Sequence, residues 1–289
     1  MLELTKNPAE FAQLRAFVLE ACCIALGEDK AYLFESRLGP IVTQSGASSV
    51  QEFITMARSD LSGRLRDKIV DAMTTHETYW FRDEKPWNAL LLSVLPAMAK
   101  SAQASGKFRV RFLCAACSSG QEPYSLAMAI DRLSKEGKLS GLDPSRFEIL
   151  GVDVSAGTLM LAANARYNQI EISRGLHSDW RADYFTPAPN NTWTVVDRVR
   201  KCVTFRRFNL QDNLSALGVF DFVFCRNVAI YFGEEFKTNL FNRIAEILTP
   251  DGILLLGATE SLFNHRHIFQ PEMIDGAVFH KKTSPAKAP

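Results

Sequence analysis

The chain has 289 residues, 33 of them Lys or Arg and 32 Asp or Glu, for a net charge of +1. Hydrophobic residues make up 47% and charged residues 22%, ordinary for a folded protein, so predominant disorder is excluded. The near-neutral balance disfavours a nucleic-acid binder that relies on a broadly basic face, and at roughly 150 residues per domain the length fits one large domain or two unequal ones.

Taken in chain order, Met1–Lys6 has no basic stretch followed by an apolar run, so no signal peptide is expected. Phe11, Leu14, Phe17, Val18 and Ile24 then recur at three- and four-residue steps, which predicts a helix. A second helix is expected over Ala31–Val42, and a third after the Ser48-Ser49 cap, carrying Phe53, Ile54 and Met56. A fourth is expected over Leu61–Met73, and one more apolar helix over 86–99 after Pro86. No strand pattern precedes residue 108, so residues 1–85 read as a small helical domain and 86–107 as a connecting helix and linker.

From residue 108 strands alternate with helices. Strands are expected at Val110–Cys114, Phe147–Val152, Val203–Phe205, Phe220–Cys225 and Ile253–Gly257. Between them fall helices at 122–133, at 156–166 behind the cap Ser155, and at 234–248, closed by a Thr249-Pro250-Asp251-Gly252 turn. The pattern is that of a mainly parallel sheet covered on both faces, which makes 108–282 an α/β domain. Residues 168–201, with Trp180, Tyr184, Phe185 and Trp193–Val196, interrupt the alternation and read as a small strand-rich insertion. Residues 283–289 read as a mobile tail. No apolar run approaches the ~20 residues that span a bilayer, so a cytoplasmic protein is expected.

Ligands of such sheets bind beyond the carboxyl ends of the strands. The small residues Ala115-Ala116-Cys117-Ser118-Ser119-Gly120 there let a backbone approach a ligand closely, and Asp153, ending the next strand, can accept both hydroxyls of a ribose. Alone, these features equally fit a tight turn and a helix-capping Asp. The six cysteines form no disulfide framework, and the C-x-x-C of Cys114 and Cys117 lacks a second pair. His76 has no second His four residues on, and His265 and His267 read as surface residues of a late loop. No metal site is expected.

Four ordered blocks go further. Residues 115–128, AACSSGQEPYSLAM, resemble the pattern A-x-C-S-T-G-E-E-P-Y-S-L-A-M of the CheR-type receptor glutamate O-methyltransferases. Residues 74–83, TTHETYWFRD, are similar to the family's T-x-N-x-T-x-F-F-R-[DE], and residues 224–232, FCRNVAIYF, to its F-C-R-N-V-x-I-Y-F. Residues 248–262, LTPDGILLLGATESL, are similar to L-x-P-G-G-x-L-x-L-G-x-x-E-S-L. The resemblance covers about residues 10–282.

What it implies is a Rossmann-like, seven-stranded methyltransferase sheet with a small antiparallel insertion, behind a helical N-terminal domain. It also implies transfer of a methyl group from S-adenosylmethionine to glutamate side chains on the helical cytoplasmic region of a chemoreceptor. By resemblance, His76, Thr78, Arg82, Ala116, Gly120, Glu122, Asp153, Asn209, Leu210, Asn227 and Val228 are the cofactor-binding residues, and Arg82 and Tyr231 serve catalysis. His76 and Gln121 depart from the family's Asn and Glu. A surface Arg82 paired with Asp83 or Glu84 is the plainer alternative for that residue. A glutamate carboxylate is already ionised at neutral pH, with a pKa of ~4.3, so no strong general base is required. The family approaches its receptor with basic residues on an N-terminal helix. Here the basic segment is Arg58, Arg64, Arg66 and Lys68 rather than the stretch around Ala31–Val42. The insertion could also dock a receptor's C-terminal tail by strand addition. A monomer is expected, with no nucleic-acid partner and no membrane insertion. The rival readings are a non-catalytic receptor-binding module and a methyltransferase for another substrate class.

Overall fold

The computed structural model of the chain describes residues 4, 5 and 7–283. Four helices come first: α1 (Pro8–Cys22), α2 (Ala31–Ser45), α3 (Val50–Ser59) and α4 (Arg64–Met73). Local chemistry sets their starts. Pro8 opens α1 behind Asn7, whose side chain accepts the Glu10 N–H, and Ser49 caps α3 by accepting the Glu52 N–H, as its sequence predicts. Their apolar faces close on a core of their own around Leu14, Phe34, Leu38, Phe53 and Ile69, with Phe11 edge-on to Phe34 at 5.2 Å.

The apolar helix expected after Pro86 is α5 (Glu84–Ala89), a π turn (Leu90–Val94) and α6 (Leu95–Ala104) in one unbroken run. Pro96 explains the π turn, because its ring has no N–H and crowds the carbonyl four residues back.

The next elements are β1 (Val110–Ala115), α7 (Gln121–Lys135), β2 (Phe147–Asp153) and α8 (Ala156–Asn164). The insertion holds β3 (Arg166–Asn168), α9 (Gln169–Ser173), α10 (Ser178–Tyr184), β4 (Phe185–Ala188), β5 (Thr192–Val195) and α11 (Asp197–Arg200). The chain continues through β6 (Val203–Arg207), β7 (Phe220–Cys225), α12 (Glu234–Ile247), β8 (Leu248–Leu256), β9 (Phe269–Ile274) and β10 (Ala277–Lys282).

The main sheet has seven strands in the order β6-β2-β1-β7-β8-β10-β9, with β10 antiparallel to both neighbours and the central strands parallel. Alternation along β1 and β7 sends Phe112, Cys114, Phe222 and Phe224 into the core on one face, and Leu113, Ala115, Val223 and Cys225 into the core on the other.

Three expectations are corrected. The segment expected as a turn at Thr249–Gly252 is part of β8, whose register against β7 slips between Phe220 and Phe222. The insertion, expected over 168–201, starts with β3 at Arg166, and its strands pair as the expected small antiparallel sheet in the order β3-β5-β4, with three short helices around it. A capping box between Asn168 and Glu171 starts α9, and Trp180 and Tyr184 on α10 stack on each other at 5.5 Å beneath Arg132 and Lys135 of α7. His265 is buried, with its ring 5.2 Å from Phe241 of α12, and desolvation lowers its pKa; His267 is exposed as expected. Thr283, expected to start a mobile tail, donates to the Ile268 carbonyl, and residues 284–289 lie outside the described residues.

Gly175, in the loop between α9 and α10, has φ +83° and sits directly against the Trp80 carbonyl, which a methyl group there would overlap. Gly175→Ala is expected to destabilise the protein by about 2–3 kcal/mol, from steric overlap and a disfavoured left-handed backbone. Urea denaturation checks this, and an unchanged midpoint would refute the packing.

The helical part is tied to the sheet at several points. Arg207 pairs with Asp67 of α4, the Ala25 N–H donates to the Tyr231 carbonyl at 2.9 Å, and Asn209 Nδ2 donates to the Ala21 carbonyl at 3.2 Å. No helix among the described residues is long and apolar enough to cross a membrane.

Candidate active site

The carboxyl edge of β1, β2 and β7 opens onto a cleft. Six pieces of chain wall it: the end of α1 with Cys22 and Ile24, the 74–82 segment, the loops after β1, β2 and β6, and the turn after β7. Of the residues expected there, His76, Thr78, Arg82, Ala116, Glu122, Asp153, Asn209, Leu210, Asn227, Val228 and Tyr231 all line it. Gly120 does not. It holds the left-handed turn at the start of α7, φ +92°, where a Cβ would stand 2.9 Å from Ala162 Cβ.

Left-handed backbone is concentrated around the cleft. Phe81, Asp83, Ala116, Ser118 and Asn227 all have φ between 48° and 61°. Such residues cost on the order of 1–3 kcal/mol each and persist only where neighbours over-determine them. Those neighbours are visible. The Ser118 N–H donates to Asp153 at 2.9 Å, Ser118 Oγ to the His76 carbonyl at 2.8 Å, and the Phe81 N–H to Ser125 Oγ at 3.1 Å. The Asn227 N–H donates to Glu260 at 2.6 Å, and Glu260 also takes the Gly257 N–H at 2.8 Å.

Asp153 is buried at the end of β2, one oxygen accepting from Ser118 and the other from the Ser155 N–H at 2.9 Å. Burial raises its pKa, against the pull of those N–H groups and of His76. Each oxygen has a further lone pair beyond the one used by these bonds, and Asp153 lines the cleft. His76 Nε2 lies 2.8 Å from Thr74 Oγ1, which donates its single proton to the Val70 carbonyl at 2.9 Å. Thr74 therefore accepts from His76 Nε2–H.

Arg82 has none of the acidic partners expected of a surface arginine. Asp83 is taken by Arg226 at 2.9 Å, and Glu84 faces Asn88 at 3.5 Å. Arg82 instead lies 5.4 Å from the centroid of the Tyr79 ring and donates one Nη1–H to the Glu77 carbonyl at 3.2 Å. Its Nε is buried with no partner, as is Asn227 Oδ1. An unpaired buried donor and acceptor facing one cleft are what a bound polar ligand would satisfy.

Arg226, inside the FCRNVAIYF block, is the hub of the site. Its side chain is 2% exposed and donates to Glu122 and to Asp83, each at 2.9 Å, and to the Arg82 carbonyl at 2.6 Å. A charged residue closing the buried run Phe222–Cys225 was the available signal, since a buried Arg requires anions around it. Burial raises the Glu122 pKa, and Arg226 opposes it. Asn209 also differs in detail. Its side chain accepts the Gln211 N–H at 3.0 Å and braces α1, so its amide is engaged within the protein.

A seven-stranded sheet with one reversed strand, and a polar cleft over the carboxyl edge of its central strands, defines a methyltransferase-type domain. The description "CheR methyltransferase, SAM binding domain" matches residues 76–278, and "CheR methyltransferase, all-alpha domain" matches residues 9–74. The chain belongs to the CheR methyltransferase family and carries its S-adenosylmethionine-binding domain. It is similar to the chemotaxis protein methyltransferase Cher2 of Pseudomonas putida, 41% identical over 88% of this chain and 90% of the relative. It is also similar to chemotaxis protein methyltransferase 1 of Pseudomonas aeruginosa, 42% identical over 89% and 91%, and to chemotaxis protein methyltransferase 1 of Vibrio cholerae, 39% identical over 97% and 99%.

Proposed function

We infer that the protein methylates glutamate side chains on the helical cytoplasmic region of a chemoreceptor, for sensory adaptation. The products are glutamyl methyl esters and S-adenosylhomocysteine. The observation that supports this most is the convergence of Asp153, Glu122, Arg82, Asn227 and Tyr231 on one cleft, in a chain similar to proteins named chemotaxis methyltransferases. On this reading it acts in the cytoplasm as a monomer, and the 166–201 insertion meets the receptor's C-terminal tail.

The residues fit S-adenosylmethionine. Asp153 would take the ribose hydroxyls on its spare lone pairs, Glu122 the amino group of the methionine part, and Asn227 Oδ1 a further donor. When bound, the group supplies a methyl carbon on a sulfonium: the acceptor oxygen bonds to that carbon as the carbon–sulfur pair returns to sulfur, and no proton moves. The chain's own contribution is to hold and orient. Arg82 steers carboxylate through Nε and its free Nη2, Tyr231 offers a hydroxyl at the strand end, and Cys22 and Ile24 keep water from one side of the cleft. Too tight a grip would lower the nucleophile's reactivity, so Arg82 orients rather than activates.

The direct test incubates the protein with methyl-labelled S-adenosylmethionine and chemoreceptor cytoplasmic fragments. Label released by mild base supports ester formation, and absence of such label from every fragment refutes it. Asp153→Ala is expected to weaken S-adenosylhomocysteine binding by about tenfold to a hundredfold, the loss of one or two charge-assisted hydrogen bonds. Calorimetric affinity equal to that of the parent protein would reject the ribose assignment.

A further inference from the structure

Glu77, Tyr79 and Arg82 all line the cleft. Glu77 is exposed, whereas Tyr79 and Arg82 are half-buried, so this segment forms part of the cleft's mouth. Arg174, the residue that closes α9 of the insertion, stands against it. Its guanidinium lies 4.7 Å from the centroid of the Tyr79 ring, and that of Arg82 lies 5.4 Å from the same ring. Glu77 touches both arginines. Arg174 Nη2 donates to Glu77 Oε1 at 2.5 Å, and Arg82 Nη1 donates to the Glu77 carbonyl at 3.2 Å.

The backbone of Arg174 is pinned, while its charge is left near solvent. The Trp80 N–H donates to the Arg174 carbonyl at 3.3 Å, and Trp80 Nε1 donates to the Glu171 carbonyl at 3.0 Å. Gly175 packs directly against the Trp80 carbonyl, and Trp80 itself is wholly buried. Yet the Arg174 side chain is 50% exposed and that of Glu77 57%. An ion pair so exposed adds little to stability. Among the described residues, Glu77 is the one acceptor that Arg174 uses, which leaves most of its fork of donors unspent. The other acids lining the cleft are committed, Glu122 to Arg226 and Asp153 to two backbone N–H groups. At the mouth, two guanidinium groups therefore meet a single carboxylate, and the hydrogen bond from Arg174 keeps that carboxylate ionised by lowering its pKa.

We propose that Arg174 captures the acceptor's carboxylate at the mouth of the cleft, in exchange for Glu77, ahead of Arg82. The proposal rests on the methyl-transfer reading above and adds a residue of the insertion that selects the acceptor. In the free protein Glu77 stands in for the acceptor and holds the guanidinium in place. Swapping one carboxylate for another keeps the charge paired throughout. A glutamine side chain brings no charge to exchange, so the same pair discriminates glutamate from its amide.

The test uses the full chain, methyl-labelled S-adenosylmethionine and a purified cytoplasmic fragment of a methyl-accepting chemoreceptor. Arg174→Ala is expected to raise KM for the fragment about tenfold, with kcat changed by less than about threefold. Glu77→Gln is expected to act in the opposite direction and lower KM about threefold, because it frees Arg174. The double variant should have the KM of Arg174→Ala, since the gain at Glu77 needs the arginine. S-adenosylhomocysteine affinity, measured by calorimetry, should be unchanged in Arg174→Ala. A merely structural pair would make both single variants worse, so a KM that rises or stays the same in Glu77→Gln overturns the proposal. An unchanged KM in Arg174→Ala, or a loss of nucleoside affinity there, overturns it too. If the parent protein methylates no fragment, the methyl-transfer reading fails and the role of Arg174 with it. If the parent methylates and Arg174→Ala keeps its KM, the role of Arg174 alone fails.

Discussion

Arg82→Ala is expected to lower methyl transfer by about a hundredfold to a thousandfold in kcat/KM, the usual scale for removing one preorganised charged donor from a reacting centre. S-adenosylhomocysteine affinity should fall far less. The reason is the unusual freedom of this side chain. Its neighbour Asp83 is committed to Arg226, one Nη1–H is given to Glu77, and Nε is buried and unpaired. The remaining donors therefore serve something that comes and goes. Arg82→Lys should recover little, since an ammonium cannot reproduce two parallel bonds from a planar fork. A filter-binding assay of label transfer, run beside calorimetry, separates the effects; equal losses in both would reject a role at the transferring end.

The second large effect is at Arg226. Its guanidinium lies between Glu122, Asp83 and the Arg82 carbonyl in a site that is almost wholly dry. Arg226→Met leaves two carboxylates uncompensated and should destabilise the protein by about 3–5 kcal/mol. The double variant Arg226→Met with Glu122→Gln should be more stable than the single one, because the charge that lost its partner is removed too. Additive losses around this thermodynamic cycle would mean that the two side chains do not interact. Transfer should remain poor in both, since the Arg82 backbone has lost a donor that fixes it.

The helical part was legible because its apolar residues recur at three- and four-residue steps, and the cap Ser49 marks where α3 begins. β1, β2 and β7 were legible as mainly apolar runs, each broken only near its start by one charged residue, Arg111, Glu148 or Asp221. β9 and β10 were not read from the residues. As the outer strands they alternate buried and exposed positions and carry Pro271, Glu272 and Lys281, which dilutes any strand signal. In the insertion, β5 was legible in Trp193, Thr194 and Val195, whereas α10 was not, because it depends on Trp180 and Tyr184 packing beneath α7. His265 misled because its burial comes from Phe241, a contact between residues far apart in the chain.

In the cleft, most of the lining predicted from the sequence is there, Asp153, Asn209 and Leu210 outside the four ordered blocks included, but three contributors were not legible. Arg226 sat inside a quoted block, yet its role depends on Asp83 and Glu122, which lie more than a hundred positions away. Cys22 and Ile24 had no local signal at all. They reach the cleft because Ile24 bridges to Phe232 and the Ala25 N–H is held by Tyr231.

That last contact bears on how such proteins can be recombined. A stretch near the front of the chain completes the chamber built by the back half, so the helical part is no detachable address label. Grafting another paralogue's front half onto this sheet would have to import a matching Leu19–Ala25 seam, or the chimera would keep its scaffold with one wall of the chamber mismatched.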